Sequence, residues 1–237
     1  MHLFYISNLD SDLVELPKEE AQHCTRVLRL QAGDEIALTD GLGQMCRAEI
    51  VSADGKSCLV RIAERQQEYQ KRNYRLHVAV APTKNSARME WFLEKAVEIG
   101  LDELTPIICQ HSERSFIKTD RLEKIAVAAM KQSLKAYKPV INEPTKLTDF
   151  LKLPSEGQKF IAHCEGDERT SLKEACKAGT SVTILIGPEG DFSKAEIEAA
   201  FAAGYKAITL GTSRLRTETA ALASRSEEHT SELQSLY

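Results

Sequence analysis

The chain reads as an α/β protein with a parallel sheet, preceded by a small β-rich unit, and three observations predict this. After residue 75, short β-branched runs alternate with amphipathic helical stretches, the pattern of a parallel sheet covered on both faces. Before residue 65, short strands cluster around a glycine turn with one helix, as in a compact barrel. Between them ERQQEYQKRNYR, Glu64 to Arg75, has few apolar residues and no period, which marks a domain boundary. The expected domains are 1–70 and 74–224, and 237 residues with 42% hydrophobic content suffice for two cores.

In the first domain, Leu3 to Ile6 is expected as a strand and Pro17 to Leu30 as a helix that opens on proline. Glu35 to Leu38 forms the next strand. Asp40, Gly41 and Gly43 turn the chain into Met45 to Val51 and Cys58 to Ala63. Val27 and Leu28 are expected to turn inward, leaving Arg26 and Arg29, three apart, on one outer face. A solvated helix face and an RNA-contacting one explain that pair equally well.

In the second domain, Leu76 to Val80 is a strand, and Asn85 or Ser86 caps a helix whose Met89, Phe92, Leu93 and Ala96 form an inward stripe until Gly100. Trp91, between those positions, is expected as partial core. Leu104 to Cys109 is a strand, Arg121 to Tyr137 a helix, Lys159 to Ala162 extended and Leu172 to Ala178 a weaker helix. On the Arg121 to Tyr137 helix, Leu122, Ile125, Ala126, Ala129 and Ser133 should face inward, while Lys124, Lys131 and Lys135 fall within about 20° of one line that Lys138 extends. Net charge is −4, but between Lys118 and Lys146 seven basic residues stand against Asp120, Glu123 and Glu143. Local charge is what a phosphate backbone feels within a Debye length of roughly 8 to 10 Å.

The most informative stretch runs from Val182 to Ser224. Val182 to Ile186 reads as a buried strand that ends in the turn Gly187-Pro188-Glu189-Gly190. Ser193 and Glu196 form a capping box, Ala195 to Ala203 a helix closed by Gly204, Tyr205 to Leu210 a strand, Gly211 to Arg214 a loop, and Thr217 to Ala223 the start of another helix. Such units bind ligands beyond the carboxyl ends of their strands, which here means Gly187 to Gly190 and Gly211 to Thr217. Neither loop is a GxxxxGK[ST] phosphate loop or a GxGxxG dinucleotide motif.

The other motifs are negative. Six scattered cysteines without a CxxC pair indicate neither a zinc site nor a disulfide framework, and the histidines match no ligand spacing such as HExxH, so no metal is expected. A GxSxG elbow is missing. No signal segment and no run of about eighteen apolar residues occurs, so a soluble, cytoplasmic protein without membrane contact is expected.

LIGPEGDFS, followed after one helix by LGTSRLRTETAA, resembles the C-terminal signature of the RsmE family, SPOUT-class methyltransferases acting on N3 of a uridine in 16S ribosomal RNA. The similarity extends through HCTRVLRLQAGDEI, APTKNSARMEWFLEKAVEIGLDELTPIIC and MKQSLKAYKP. The resemblance implies a PUA-like RNA-binding domain, then a trefoil-knotted methyltransferase domain that uses S-adenosyl-L-methionine, in a homodimer whose partner is 16S rRNA or the small ribosomal subunit. It places the cofactor at Ile186, Gly187, Pro188, Glu189, Gly190, Leu210, Gly211, Leu215, Arg216 and Thr217. RNA contact is assigned to Arg26, Arg29, Lys84, Arg88, Lys131, Lys135 and Lys138. Uridine N3 must lose a proton, so a base and a cation near the adjoining carbonyls are needed. Arg216 is assigned as the cation; Glu218 either takes the proton or holds Arg216. A non-catalytic RNA-binding protein is the alternative. Where the family continues an apolar helix, the chain departs from it: residues 225–237, RSEEHTSELQSLY, are expected to be a non-native tail, the run RSEEHTSELQS resembling a translated sequencing adapter.

Overall fold

Alternating inward and outward side chains build the first sheet. The computed structural model describes residues 1–166, 170–177 and 179–224. The expected tail, 225–237, and Ala178, the expected end of a helix, lie outside the described residues. The chain divides into two units, one of Met1–Lys71 with Val127–Lys138, the other of Arg72–Ala126 with the chain from Pro139 onward.

The first unit contains β1 (Leu3–Tyr5), β2 (Leu13–Glu15), α1 (Lys18–Gln22), β3 (Glu35–Thr39), β4 (Met45–Ala53) and β5 (Cys58–Gln66). Its five-stranded sheet runs β1-β3-β4-β5-β2, with β1 parallel to β3 and the other pairs antiparallel. Along β4, Cys46, Ala48 and Ile50 point inward while Arg47 and Glu49 point out. The inward residues pack with Phe4, Ile36, Leu38 and Val60. Cys24 and Cys58 meet in this core as free thiols, 3.8 Å apart; burial pushes the Cys24 thiol up to about 12, and Cys58 adds to the rise.

The expected Pro17 to Leu30 helix is not continuous. α1 gives way at His23–Val27 to a π-turn that ends at Leu28. Thr25 Oγ1 donates to Ala21 O at 2.8 Å, and Leu28 N donates five residues back to His23 O. A wide turn shifts the phase of everything after it. Cys24 is therefore buried, Val27 is 67% exposed, and Arg29 leaves the helix with a left-handed φ of 57°. Arg26 instead donates from Nε to Gly55 O, so the expected shared face of Arg26 and Arg29 does not form. β5 continues to Gln66, into the stretch expected as a linker, and Arg72 is anchored by Asp102, the Gly100 carbonyl and the Tyr74 ring.

The second unit is built on β6 (Leu76–Val80), α2 (Ser86–Ile99), β7 (Glu103–Ile108), α3 (Thr119–Gln132, whose residues from Val127 on belong to the first unit), β8 (Val140–Ile141), β9 (Thr145–Lys146), α4 (Leu147–Phe150), β10 (Gln158–Ala162), β11 (Thr170–Ser171), α5 (Leu172–Ala175), β12 (Val182–Ile186), α6 (Lys194–Ala202), β13 (Lys206–Thr209) and α7 (217–224). Asn85 Oδ1 caps α2 by accepting from Ala87 N, and Gly100 ends it at φ 109°. Trp91, expected as partial core, is 45% exposed. Ser193 and Glu196 form the expected capping box on α6. The sheet path β11-β13-β10-β12-β6-β7-β8 is parallel throughout, and β9 pairs with β7 off the path. After β6 the chain moves toward β7; after β12 it moves the other way, toward β13. The adjacent ends of β6 and β12 are thus a topological switch point, where open α/β sheets hold their ligands.

α3 stops at Gln132 instead of reaching Tyr137, because Leu134 takes a left-handed φ of 54°. Leu122, Ala126, Ala129 and Met130 are its buried positions, while Ile125 is half-buried. Lys135 and Lys138 lie beyond the helix, so the expected line of lysines is broken. Lys131 is engaged within its own unit: its Nζ donates to both oxygens of Glu20, at 2.6 and 2.7 Å. That pairing offsets the charge of Lys131, one of the cations expected to face RNA.

Two stability tests follow from this packing. Gly157, with φ 81°, lies where a β-carbon would run into the Ser181 carbonyl, itself the acceptor of the Gln158 amide. Gly157→Ala should destabilise by on the order of 2 kcal/mol, read as a lower urea midpoint with an unchanged slope. Burial pushes His77 down to about 4, against the pull of Glu103 beside its Nδ1. Its ring also meets Thr105 Oγ1 at 2.7 Å and the edge of Phe150, with Arg75 reinforcing the downward shift from across Glu103. The unfolded histidine, near pKa 6.5, binds a proton that the native ring refuses, so stability present above pH 6.5 is lost as the pH falls toward 4. Unfolding titrations at pH 7 and pH 5 should show a drop for the wild type that His77→Gln reduces.

Candidate functional site

At the carboxyl end of β12, Gly187 and Gly190 lie in close approach to neighbouring side chains. A β-carbon on Gly187 would sit 3.0 Å from the ring of Phe192, which is buried in the core, and one on Gly190 would sit 3.0 Å from His111 Cβ. Loops from neighbouring strands fix the turn between them. Lys84 N, after β6, donates to Glu189 Oε1 at 3.0 Å; His111 Nδ1, after β7, lies 3.1 Å from Asp191 O; Cys164 N, after β10, donates to Asp191 Oδ2 at 2.8 Å. Asp191 itself adopts a left-handed φ of 63°, and its amide donates back to Pro188 O.

One side-chain bond brings the second loop to the first. Thr217 is buried, and its Oγ1 donates to Gly187 O at 3.2 Å. Between β13 and Thr217, Gly211 turns with φ 114°, held by Thr209 Oγ1 donating to Gly211 O. Among the described residues, the amides of Gly211, Ser213 and Leu215 find no acceptor in the chain. Unused amides beside close-approach glycines suit a ligand read through backbone groups, and a planar heterocycle such as adenine fits that donor set. Of the residues singled out in the sequence, Ile186, Gly187, Pro188 and Thr217 are buried at the base of this region, Leu210 and Leu215 are half-buried, and Glu189, Gly190, Gly211 and Arg216 are exposed.

Glu218, in the first turn of α7, is only 7% exposed. Its Oε1 lies 3.6 Å from Arg88 Nε on α2, and its Oε2 is buried without a hydrogen-bond partner. Glu218 thus pairs with Arg88, one of the cations assigned to RNA, and among the described residues Arg216 makes no ion pair. Lys84, also assigned to RNA, carries a 2.7 Å ion pair to Glu113 that is open to solvent and contributes little. Arg26, Arg29, Lys131, Lys135 and Lys138 belong to the other unit. The Arg88–Glu218 pair and the Thr217 bond escaped the sequence reading because no spacing links residues 130 and 30 positions apart.

Thr217→Val keeps the volume of the side chain and deletes its hydroxyl. The loss of that bond, with the Gly187 carbonyl left unsatisfied, should lower stability by about 1 to 2 kcal/mol, seen as a reduced melting temperature. An unchanged melting temperature would show that the two loops hold together without it.

Residues 70–226 match the family model described as an RNA methyltransferase domain, and residues 16–63 match an RNA methyltransferase PUA domain. The chain is 45% identical to a probable rRNA-methyltransferase from Porphyromonas gingivalis of known structure, with a TM-score of 0.92 over 99% of this chain and 100% of that one. It is 29% identical to ribosomal RNA small subunit methyltransferase E from Neisseria gonorrhoeae, solved with S-adenosyl methionine bound, with a TM-score of 0.82 over 97% of each chain. The enzyme of the same name from Aquifex aeolicus is 28% identical over 228 residues, 93% of this chain and 95% of that protein. The parallel-sheet unit has the SPOUT-type fold and the five-stranded unit is PUA-like. No helix among the described residues is long and apolar enough to cross a membrane, and no three of their His, Cys, Asp or Glu residues cluster to hold a metal ion. With the methyltransferase model matched over more than half its length and the PUA model ahead of it, the chain belongs to the RNA methyltransferase family.

Proposed function

We propose that this protein methylates N3 of a specific uridine in 16S ribosomal RNA, using S-adenosyl-L-methionine, as a homodimer in the cytoplasm. The observation that carries the chemistry is the buried, half-satisfied carboxylate of Glu218, next to the residue that ties the 211–217 loop to the Gly187 turn. An oxygen buried without a partner costs on the order of 1 to 3 kcal/mol, and such groups concentrate where a reaction needs them. The cofactor supplies an electrophilic methyl group; Gly187 to Gly190, Leu210, Gly211 and Leu215 to Thr217 are the residues to hold it, chiefly through backbone amides.

The uridine must be unpaired, because N3 lies on its Watson–Crick edge. Its N3 proton passes to Glu218, directly or through one water, which favours reaction by roughly a hundredfold or more. Arg88, 3.6 Å from the other carboxylate oxygen, fixes the orientation of Glu218. The exposed Arg216 guanidinium sits on the adjoining loop and stabilises the charge that develops on the uridine carbonyl oxygens. The deprotonated N3 is then the nucleophile that accepts the methyl group as the sulfonium–methyl bond breaks, the cofactor leaving as a neutral thioether.

Incubation with labelled cofactor and small-subunit RNA, followed by mapping of the methylated position, tests the reaction. Glu218→Gln is expected to lower turnover by about a hundredfold or more with cofactor binding intact. Arg216→Lys should also lose activity, since a point charge does not replace a planar donor. Near-normal turnover by Glu218→Gln would leave that residue only the task of positioning Arg88.

A further inference from the structure

The chain leaving β7 carries an aromatic ring that the fold leaves outside the core. Phe116 is 68% exposed, on the segment that joins β7 to α3. It borders a groove of about 380 Å³ with Ile117 and Leu122 beside it and Ser86, Arg114 and Lys118 around it. A shallower depression of about 610 Å³ continues from Phe116 to Lys124. Glu90, also at the groove, is neutralised by Arg121, which donates to both its oxygens at 2.5 and 2.7 Å. Among the described residues, Arg114, Lys118 and Lys124 make no ion pair. Asp120 and Glu143 lie at the far end, the latter accepting from Thr119 Oγ1. The groove therefore combines a solvent-facing aromatic with two cations, Arg114 and Lys118, that no carboxylate among the described residues pairs.

The same segment begins at the candidate site. Ser112 and Cys109 close a turn through reciprocal bonds, His111 packs against Gly190, and Glu113 pairs with Lys84. From His111 to Phe116 the chain spans at most about 17 Å, so the groove lies within a few nucleotides of the Gly187 turn.

We propose that this groove holds an unpaired nucleotide of the RNA substrate next to the one being methylated, its base stacked on Phe116 and its phosphates held by Arg114 and Lys118. The proposal rests on the reading of the chain as an RNA methyltransferase and adds how the flanking strand is gripped. Charge decides the occupant. The unpaired Arg114 and Lys118 repel the same face of a second copy, whereas a nucleotide satisfies ring and cations together. Stacking on an aromatic face tolerates any base, so the groove orients the strand while the crevice selects the uridine.

Anisotropy with a fluorescein-labelled, uridine-rich single-stranded RNA tests binding separately from catalysis. Phe116→Ala should weaken binding by roughly 5- to 150-fold, Phe116→Trp should restore it, and cofactor affinity should not change. Arg114→Ala with Lys118→Ala should reduce the salt slope by about one to two. RNA affinity of Phe116→Ala within twofold of wild type overturns the proposal. So does a change in its molecular mass by light scattering, which would assign the groove to a contact between copies. A wild type that binds this RNA through Phe116 yet methylates no ribosomal RNA would strike the proposed reaction and leave the groove standing.

Discussion

The parallel pairing of β6 with β12 is the constraint on which the rest of the methyltransferase unit depends. Val78 opposite Ile184 and Val80 opposite Ile186 place two strands side by side that lie more than a hundred residues apart in the chain. The bond from Ala81 N to Ile186 O extends that pairing past the strand ends, so the loop entering α2 and the loop entering α6 emerge together. All the residues of these strands except the half-buried His77 are buried, as expected of a parallel sheet covered on both faces. Because the chain departs from this pair in opposite directions, no crossover helix covers the gap between the loops. A crevice is the geometric consequence.

Polar groups in this unit fall into two kinds. Two carboxylates away from the crevice are well used: Glu103 takes Arg75, His77 and Asn142 on its two oxygens, and Asp102 takes Arg72 and the Leu76 amide. Networks of this kind offset the desolvation of their members and lock strand ends in place. At the crevice the opposite holds. Glu218 has one oxygen without a partner, the loop after β13 keeps unused amides, and Arg216 stands in solvent. The division matches what catalysis requires, since groups already satisfied by the protein are not available to a substrate.

The PUA-like unit makes a different use of its cations. Arg47 lies between Glu35 and Glu64 on the outer face of the sheet, Arg65 reaches back to Asp12 and the carbonyls of Leu9 and Ser11, and Lys131 is clasped by Glu20 under the ring of Phe4. Each stitches parts of the unit together. Counting basic residues along residues 118–146 missed the acidic partners of Arg121 and Lys131, Glu90 and Glu20, which lie distant in sequence.

Local chemistry written in the sequence by itself determined much of this protein. The Asn85 cap and Gly100 stop bounded α2, Ser193 and Glu196 bounded α6, and the β-branched run Val182 to Ile186 formed the strand it spelled, since each signal acts within a few residues. The signature around Gly187 and Thr217 likewise marked the two loops that meet. Only the tertiary structure decided what depends on distant partners: that β12 lies between β6 and β10, that Arg88 and not Arg216 pairs with Glu218, and that Phe116 is left facing solvent. The π-turn at His23–Val27 and the left-handed Leu134 belong to the same class, for helical periodicity continued through both points. A helix ends where packing and side-chain bonds outweigh the small free energy of one more turn, and that balance is set by the whole fold.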